Sequence, residues 1–285
     1  MDPTTIVKLV IVLGIVLVVL AIGIRAGPVD PSRVLSDPWL AARAMASMFV
    51  VMPLFVLLLV ALLPLRPGVG AALLALSVSP MLPPWAKQGL AVGGKGDFIL
   101  GLQGLATCVS VVAVPAMIWL VRQVFQVDTP LTPWALEQVL LVTVVVPLAA
   151  GMGLAQLWPG AAPRIAARCD RVGLAIILLG VAVVLVGSAR AIVDVLGRGT
   201  LVAAAVVVGV GLLVGHLLGG PEPGNRGALA TATAARHPGV GLVLATSALP
   251  ESQPAILATV LLYLLASILL TIPYQRWRRE VVARG

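Results

Sequence analysis

The sequence is poor in charge, in aromatic side chains and in cysteine. Charged residues make up 11% of the 285 positions, aromatic residues make up 4%, and there are 2 cysteines. A soluble globular domain carries about 25% charged residues, so this composition excludes a sizeable soluble domain. Cys108 lies inside an apolar run and Cys169 in what reads as a basic loop, which argues against a disulfide or a metal site formed by the two.

Residue sets that carry catalysis are also lacking. The sequence contains no HExxH motif, no carboxylate cluster and no Ser/His/Asp set at membrane depth. It therefore predicts neither an enzyme nor a cofactor or metal site. The net charge of +8 comes from basic residues scattered in short loops instead of one clustered basic domain, which argues against nucleic acid as a partner.

Long apolar runs fill the chain instead. Hydrophobic residues account for 60% of the sequence, and the mean hydropathy is +1.10. A helix needs about 20 apolar residues to cross the bilayer, and the runs are continuous instead of alternating as barrel strands do. We predict an all-α integral membrane protein with about nine transmembrane helices. The nine segments are 6–24, 40–63, 69–91, 98–121, 135–158, 172–194, 200–219, 226–249 and 254–273.

The basic residues divide unevenly between the two sides of these segments. With the N-terminus outside, thirteen of the 19 basic residues fall inside and five outside, while Arg236 lies at membrane depth. Lys and Arg accumulate in cytoplasmic loops, so the N-terminus is predicted outside and the basic tail "QRWRREVVARG" in the cytoplasm. We expect a multi-pass protein of the plasma (inner) membrane.

Two of the nine segments are interrupted by proline and glycine. The third segment contains Pro80, Pro83 and Pro84, and the eighth contains Pro238 and Gly239 near its middle. Proline removes a backbone donor and clashes with the preceding turn, so each segment is predicted to divide into two half-helices. In lipid the freed backbone groups need partners, so both breaks are expected to face protein or a water-filled cavity.

The two interrupted segments occupy corresponding places in the chain. Each follows one smooth segment and precedes another, and the predicted orientation gives the two three-segment units opposite directions. This arrangement is typical of the inverted repeats of secondary transporters. The amino ends of the second half-helices, near Pro84 and Gly239, suit anions, and the carbonyl ends near Ser79 and Ala235 suit cations.

Charged side chains stand beside both breaks. Lys87 lies about one helical turn beyond Pro84, and Arg236 and His237 directly precede Pro238. A charge at the helix centre costs about 2.5–3.5 kcal/mol on insertion scales, so such residues usually face a pathway or a partner. The alternatives are that Lys87 reaches the cytoplasmic interface and that Arg236 caps exposed carbonyls.

Three further polar residues are candidates for the same cavity. His237 suits a proton carrier, or a neutral imidazole that satisfies the broken backbone. Gln103 and Thr107, four residues apart, share one helix face and suit either the cavity or polar packing between helices.

Several stretches carry a resemblance to a known family. They are "RVLSDPWLAARAMASMFVVMPLFVLLL", Pro80 at the end of a small-residue run, Gly96-Asp97 at the next helix start, and "RHPGVGLVLA". In this order they make residues 11–273 similar to the bile acid:sodium symporter superfamily, in its nine-helix form. The resemblance implies a panel domain (about 6–24 and 135–194) and a core domain (about 40–121 and 200–273), whose broken helices cross at the substrate site.

The sequence also departs from that family. Sodium-coupled members carry a glutamate a few residues before the position of Arg236, whereas residues 230–235 contain no carboxylate. The family's glycine-rich motif after the first break is replaced at residues 80–86. We therefore expect the family's sodium sites to be absent.

The leading functional prediction is secondary transport of a small organic anion by alternating access, with the core moving against the panel. Lys87 and Arg236 would supply fixed positive charge, and coupling would be sodium-independent or proton-linked. The alternatives are a sodium-dependent symporter with other ligands, efflux of an oxyanion or metabolite, and a non-transporting membrane receptor. The expected partners are the anion, the bilayer, and H⁺ or Na⁺.

Overall fold

The computed structural model describes most of the chain. The described residues are 3–26, 37–79, 81, 85–99, 101–106, 109, 112–113, 116, 141–187 and 199–284. Eleven α-helices have both ends within these residues. In chain order they are α1 (Pro3–Ala26), α2 (Pro38–Ala46), α3 (Met52–Leu62), α4 (Pro67–Val78), α5 (Trp85–Ala91), α6 (Val146–Leu157), α7 (Ala162–Gly187), α8 (Thr200–Leu218), α9 (Pro223–Ala234), α10 (Pro238–Ala248) and α11 (Gln253–Arg284).

Three described helical stretches are long and apolar enough to cross a membrane. They are Pro38–Leu62, Thr200–Leu218 and Pro250–Val282, and they coincide with predicted segments two, seven and nine. Shorter apolar helices are Leu9–Arg25, Pro67–Val78 and Val146–Leu157. Residues 96–99 and 101–106 are helical as well, and most of the later part of segment four lies outside the described residues. The all-helical membrane class is confirmed.

Two predicted boundaries are wrong. The sixth segment was expected from residue 172, after a basic loop, but α7 begins at Ala162, so Arg164, Arg168 and Cys169 are helical. Alanine and arginine have high helix propensity, so the helix continues beyond its apolar stretch. Likewise α11 continues through Pro273 to Arg284, so the basic tail is the last part of a helix.

Two prolines explain irregular helical turns. The five-residue π turn Ser47–Val51 lies just before Pro53, and a second, Leu141–Val145, lies just before Pro147. A proline inside a helix removes one backbone donor and pushes away the carbonyl four residues earlier, and a wider turn accommodates this clash. Each proline therefore leaves carbonyl groups available to partners outside its own helix.

The chain forms two compact units. Unit 1 comprises Met1–Asp30 and Glu137–Arg190, and unit 2 comprises Pro31–Leu136 and Ala191–Gly285. In unit 1, α1 packs on α6 and α7. A Cβ added to Gly23 would collide with the Leu148 carbonyl oxygen of α6, so the absence of a side chain allows the two backbones to approach closely.

In unit 2, glycines spaced four apart line the side of α8 that meets α9. A Cβ at Gly211 would lie 3.2 Å from the Ala234 Cα, and a Cβ at Gly215 would lie 2.5 Å from the Leu229 carbonyl oxygen. Membrane helices approach closely where small residues line the contact. This packing fixes α9, and with it the second break, against a plain spanning helix.

Candidate functional site

The two interrupted segments meet at their breaks. Helix α4 ends at Val78 and α5 begins at Trp85, while α9 ends at Ala234 and α10 begins at Pro238. An isolated antiparallel bridge joins Met81 to Arg236. The helix breaks predicted from the prolines are therefore present, and their non-helical stretches pair with each other in unit 2.

Arg236 lies at the centre of this crossing. Its side chain is buried, with 2% of its surface exposed. Nη1 donates a hydrogen bond to the Ser79 carbonyl oxygen (3.3 Å), and Nη2 donates to the Met48 carbonyl oxygen (3.0 Å). The ion pairs formed among the described residues do not include Arg236. These contacts are those of the capping alternative, in which the guanidinium donates hydrogen bonds to backbone carbonyls.

Pro53 makes the Met48 carbonyl available. The N–H of Met52 donates to the carbonyl oxygen of Ser47, five residues earlier, so it is not bonded to the carbonyl oxygen of Met48. The residue five positions after Met48 is Pro53, which has no N–H to donate. The Met48 oxygen thus lacks a backbone donor within its own helix, and a buried carbonyl needs a partner, which Arg236 supplies.

Ser79 connects the two breaks by both its backbone and its side chain. It ends α4 in an extended conformation, and its hydroxyl donates to the Leu76 carbonyl at 2.7 Å. The same hydroxyl accepts the backbone N–H of His237 at 3.1 Å. The residue that ends α4 is therefore hydrogen-bonded to the residue that precedes α10. A small hydroxyl side chain at Ser79 makes both of these hydrogen bonds possible.

His237 caps the amino end of α10. Its Nδ1 accepts the backbone N–H of Val240 at 3.3 Å, so Nδ1 is unprotonated and the proton of the neutral ring lies on Nε2. Nε2 is buried and has no hydrogen-bond partner in the described part of the chain. Protonation of Nδ1 would break the cap, so this geometry fits the neutral imidazole alternative better than an open proton carrier.

Tyr263 donates a hydrogen bond to a third backbone carbonyl at the crossing, and this residue was not identified from the sequence. Its hydroxyl donates to the Ala234 carbonyl oxygen at the end of α9, at 2.8 Å, and the side chain is 2% exposed. The sequence does contain a sign of this role, because the chain has only 2 tyrosines and Tyr263 lies in an apolar segment. A buried tyrosine hydroxyl usually has a hydrogen-bond partner.

Hydroxyl groups hold α9 to two other elements. Trp85 Nε1 donates to the Thr231 hydroxyl at 2.8 Å, which ties the start of α5 to α9. The hydroxyls of Ser47 and Thr233 are 3.0 Å apart, which ties the π turn to α9. Trp85 and Met81 also belong to a buried hydrophobic cluster, so the crossing is packed as well as hydrogen-bonded.

The remaining predicted site residues are placed only in part. Gln103 is buried, with 4% of its surface exposed, and Pro238 is half-buried at the first position of α10 beside Gly239. Lys87 lies on α5, and the role of its side chain stays a prediction. The other four predicted site residues, Pro80, Pro83, Pro84 and Thr107, lie outside the described residues.

Residues 12–195 of the 285 match the Sodium Bile acid symporter family, which is more than half of the chain. The chain belongs to the sodium bile acid symporter family. Membership implies a secondary transporter in a membrane, and it confirms that the protein is not an enzyme. No curated protein matches the chain in sequence.

The family match covers one of the two breaks. It includes the first interrupted segment of this family member and ends before Arg236. The similarity expected over residues 11–273 is therefore supported up to residue 195. The stretch around Arg236, where we predicted a departure from sodium-coupled members, is the part that the match does not include.

Replacing Tyr263 by phenylalanine is expected to lower the free energy of unfolding by about 1–2 kcal/mol, because the buried Ala234 carbonyl loses its donor. Thermal unfolding of the detergent-purified protein measures the change. Tyr274→Phe is the matched control, since its hydroxyl contacts His216 in a part-buried setting, and a smaller loss is expected. Equal losses in the two variants would contradict the capping role of Tyr263.

Proposed function

We propose that the protein is a secondary active transporter of a small organic anion, and that Arg236 takes the place of a free sodium ion. The observation that carries this proposal is the pair of hydrogen bonds from its guanidinium to the Ser79 and Met48 carbonyls. In broken-helix transporters, unwound backbone carbonyls and half-helix carbonyl ends are the groups that coordinate sodium. A cation tethered to the chain occupies these oxygens without any ion being transported.

The charge at the crossing supports this reading. Each helix C-terminus carries about half a negative charge, so the ends of α4 and α9 contribute about one together. The guanidinium balances them, and the amino end of α10 adds about half a positive charge. The crossing is therefore positive before any free ion enters, which disfavours sodium and favours an anion.

Buried donors also favour an anionic substrate. His237 Nε2–H has no partner among the described residues, and a buried donor of this kind is normally satisfied by an acceptor such as an anionic oxygen. Lys87, on α5, would add a further positive charge near the first break. We propose that Lys87 and Arg236 supply the positive charge of the substrate site and that the neutral His237 donates a hydrogen bond to the anion.

We further propose that unit 1 is the panel domain and unit 2 the core domain of an alternating-access transporter. Unit 2 contains both breaks, and each break lies between plain helical segments, as an inverted repeat requires. The N-terminus would lie outside and the C-terminus in the cytoplasm. Coupling would be sodium-independent, with protons as the alternative driving ion.

Anion binding and uptake are expected to be equal in sodium and potassium. Detergent-purified protein is screened by thermal shift against organic anions, with sodium, potassium and pH varied independently. The anion with the largest shift is then followed into proteoliposomes. We expect Arg236→Gln to weaken its binding by about tenfold or more, because a buried positive charge is removed.

Sodium-stimulated uptake that survives Lys87→Ala and Arg236→Ala would contradict this proposal. A pH gradient that drives uptake without sodium would identify the coupling as proton-linked. Binding without any flux would favour the membrane-receptor alternative over transport.

A further inference from the structure

Two arginines converge on the turn between α8 and α9. Arg226 Nε donates to the Gly220 carbonyl oxygen at 2.5 Å. Arg43 approaches the same residue from α2, and its Nη2 would lie 3.6 Å from a Cβ built on Gly220. Arg43 is half-buried and Arg226 is exposed. Both positive side chains thus lie beside the same glycine.

The acidic side chains described near this turn are already engaged. Glu222 forms an ion pair with Lys95 at 2.7 Å and accepts a hydrogen bond from Asn225 at 2.9 Å. Asp37 accepts the backbone N–H of Leu40 and caps α2. The ion pairs formed in the described part of the chain include neither Arg43 nor Arg226. Neither arginine is therefore neutralised by an ion pair with a described carboxylate.

Arg43 makes few polar contacts of its own. Its Nε is buried and has no hydrogen-bond partner among the described residues. Its guanidinium carbon lies 5.8 Å from the centre of the Trp39 ring, a cation–π contact. The planar guanidinium is thereby held in place while its terminal donors remain available to a ligand.

We infer that the turn lies near a membrane boundary. Arg43 lies in the first two turns of the span Pro38–Leu62, and the span Thr200–Leu218 ends just before Gly220. Trp39 is 69% exposed, and Trp277, near the end of a third span, is 49% exposed and lies 5.2 Å from the guanidinium of Arg278. Exposed tryptophans beside basic residues are typical of the lipid headgroup level.

We propose that Arg43 and Arg226 bind the phosphate of an anionic phospholipid. A phosphodiester oxygen pair matches the donor geometry of guanidinium groups, and its negative charge complements the two arginines. Trp39, which lies against Arg43, contacts the glycerol and upper acyl chains. A bound lipid then holds α2 beside the α8–α9 turn, and so stabilises unit 2 at the end of α9 opposite Arg236.

The test uses delipidated, detergent-purified full-length protein. Native mass spectrometry and thermal unfolding are followed as phosphatidylglycerol, phosphatidylcholine or inorganic phosphate is added. Phosphatidylglycerol is expected to bind and to raise the unfolding temperature, and phosphatidylcholine and phosphate are not. Arg43→Gln/Arg226→Gln is expected to weaken phosphatidylglycerol binding about 25-fold, since each basic residue contributes about fivefold.

Two controls separate a built site from general attraction to negative charge. Arg164→Gln/Arg168→Gln removes two exposed arginines of α7, predicted on the same side of the membrane, and is expected to keep full binding. Arg43→Lys/Arg226→Lys keeps the charge and checks that the site tolerates substitution. Equal weakening in both glutamine pairs, or phosphate binding that competes with the lipid, would overturn the proposal. Unaltered lipid binding by a folded Arg43→Gln/Arg226→Gln variant would overturn it too.

Discussion

Arg236→Ala is expected to unfold several degrees below the unaltered protein and to lose transport. The substitution leaves the Ser79 and Met48 carbonyls without their donor in a buried setting. Hydrogen bonds from charged groups contribute about 1.5–3 kcal/mol each, so the loss is about 3 kcal/mol or more. Thermal unfolding in detergent and uptake into proteoliposomes measure the two effects.

A matched control isolates the effect of burial. Arg171→Ala also removes an arginine hydrogen bond to a backbone carbonyl, here from Nε to the Ala167 oxygen, but this bond is exposed. It is expected to change the unfolding temperature little, because exposed pairs contribute little. An Arg236→Ala variant as stable and as active as Arg171→Ala would contradict the role given to Arg236.

The Arg236→Gln variant tests directly whether a sodium ion can replace the guanidinium. In Arg236→Gln the positive charge is gone, while both carbonyls remain in place. If arginine and sodium are alternatives, sodium is expected to restore part of the lost stability in this variant, and potassium is expected to restore less. A variant indifferent to both ions would show that the carbonyls do not form a cation site.

Gly215→Ala is expected to destabilise the protein by about 3 kcal/mol, at the upper end of the range for overpacking. The added Cβ would lie 2.5 Å from the Leu229 carbonyl oxygen and 2.6 Å from the Ala230 Cα. Both atoms belong to the backbone of α9, so no side-chain rotation relieves the collision. Helix α9 must shift, and Thr231, Thr233 and Ala234 shift with it. We expect lower thermal stability and weaker anion binding together.

Gly209→Ala is the control on the same helix. A Cβ at Gly209 has nothing within 4 Å, so the substitution adds a methyl group in open space. Alanine favours the helix by up to about 1 kcal/mol over glycine, so unchanged or slightly higher stability is expected. Similar losses in both variants would indicate that glycine matters on α8 for a reason other than contact with α9.

The sequence predicted the helix breaks but not which backbone carbonyls Arg236 contacts there. Pro238 predicts the start of α10 because a proline interrupts a helix whatever its neighbours are. The long apolar segments predict the spans by their length alone. The acceptors of Arg236 depend on the tertiary structure. Met48 is an ordinary apolar residue in sequence, and its carbonyl becomes an acceptor only because Pro53 lies five residues later and α9 crosses at that level.

Helix ends proved harder to predict than helix breaks. The start of α7 at Ala162 was missed because hydropathy reports the bilayer-spanning stretch, whereas the backbone continues wherever alanine and arginine sustain a helix. The same reason hides the extension of α11 to Arg284. The convergence of Arg43 and Arg226 was equally hidden, because the two residues are far apart in the chain and meet only through Gly220.

One side chain joins three separate stretches of unit 2. Arg236 belongs to the second broken segment, Ser79 belongs to the first, and Met48 belongs to a third helical stretch. Separating any two of these stretches would expose a buried guanidinium or a buried carbonyl, and each exposure within lipid is costly. We therefore expect the three stretches to move together during transport, with the Arg236 contacts kept closed.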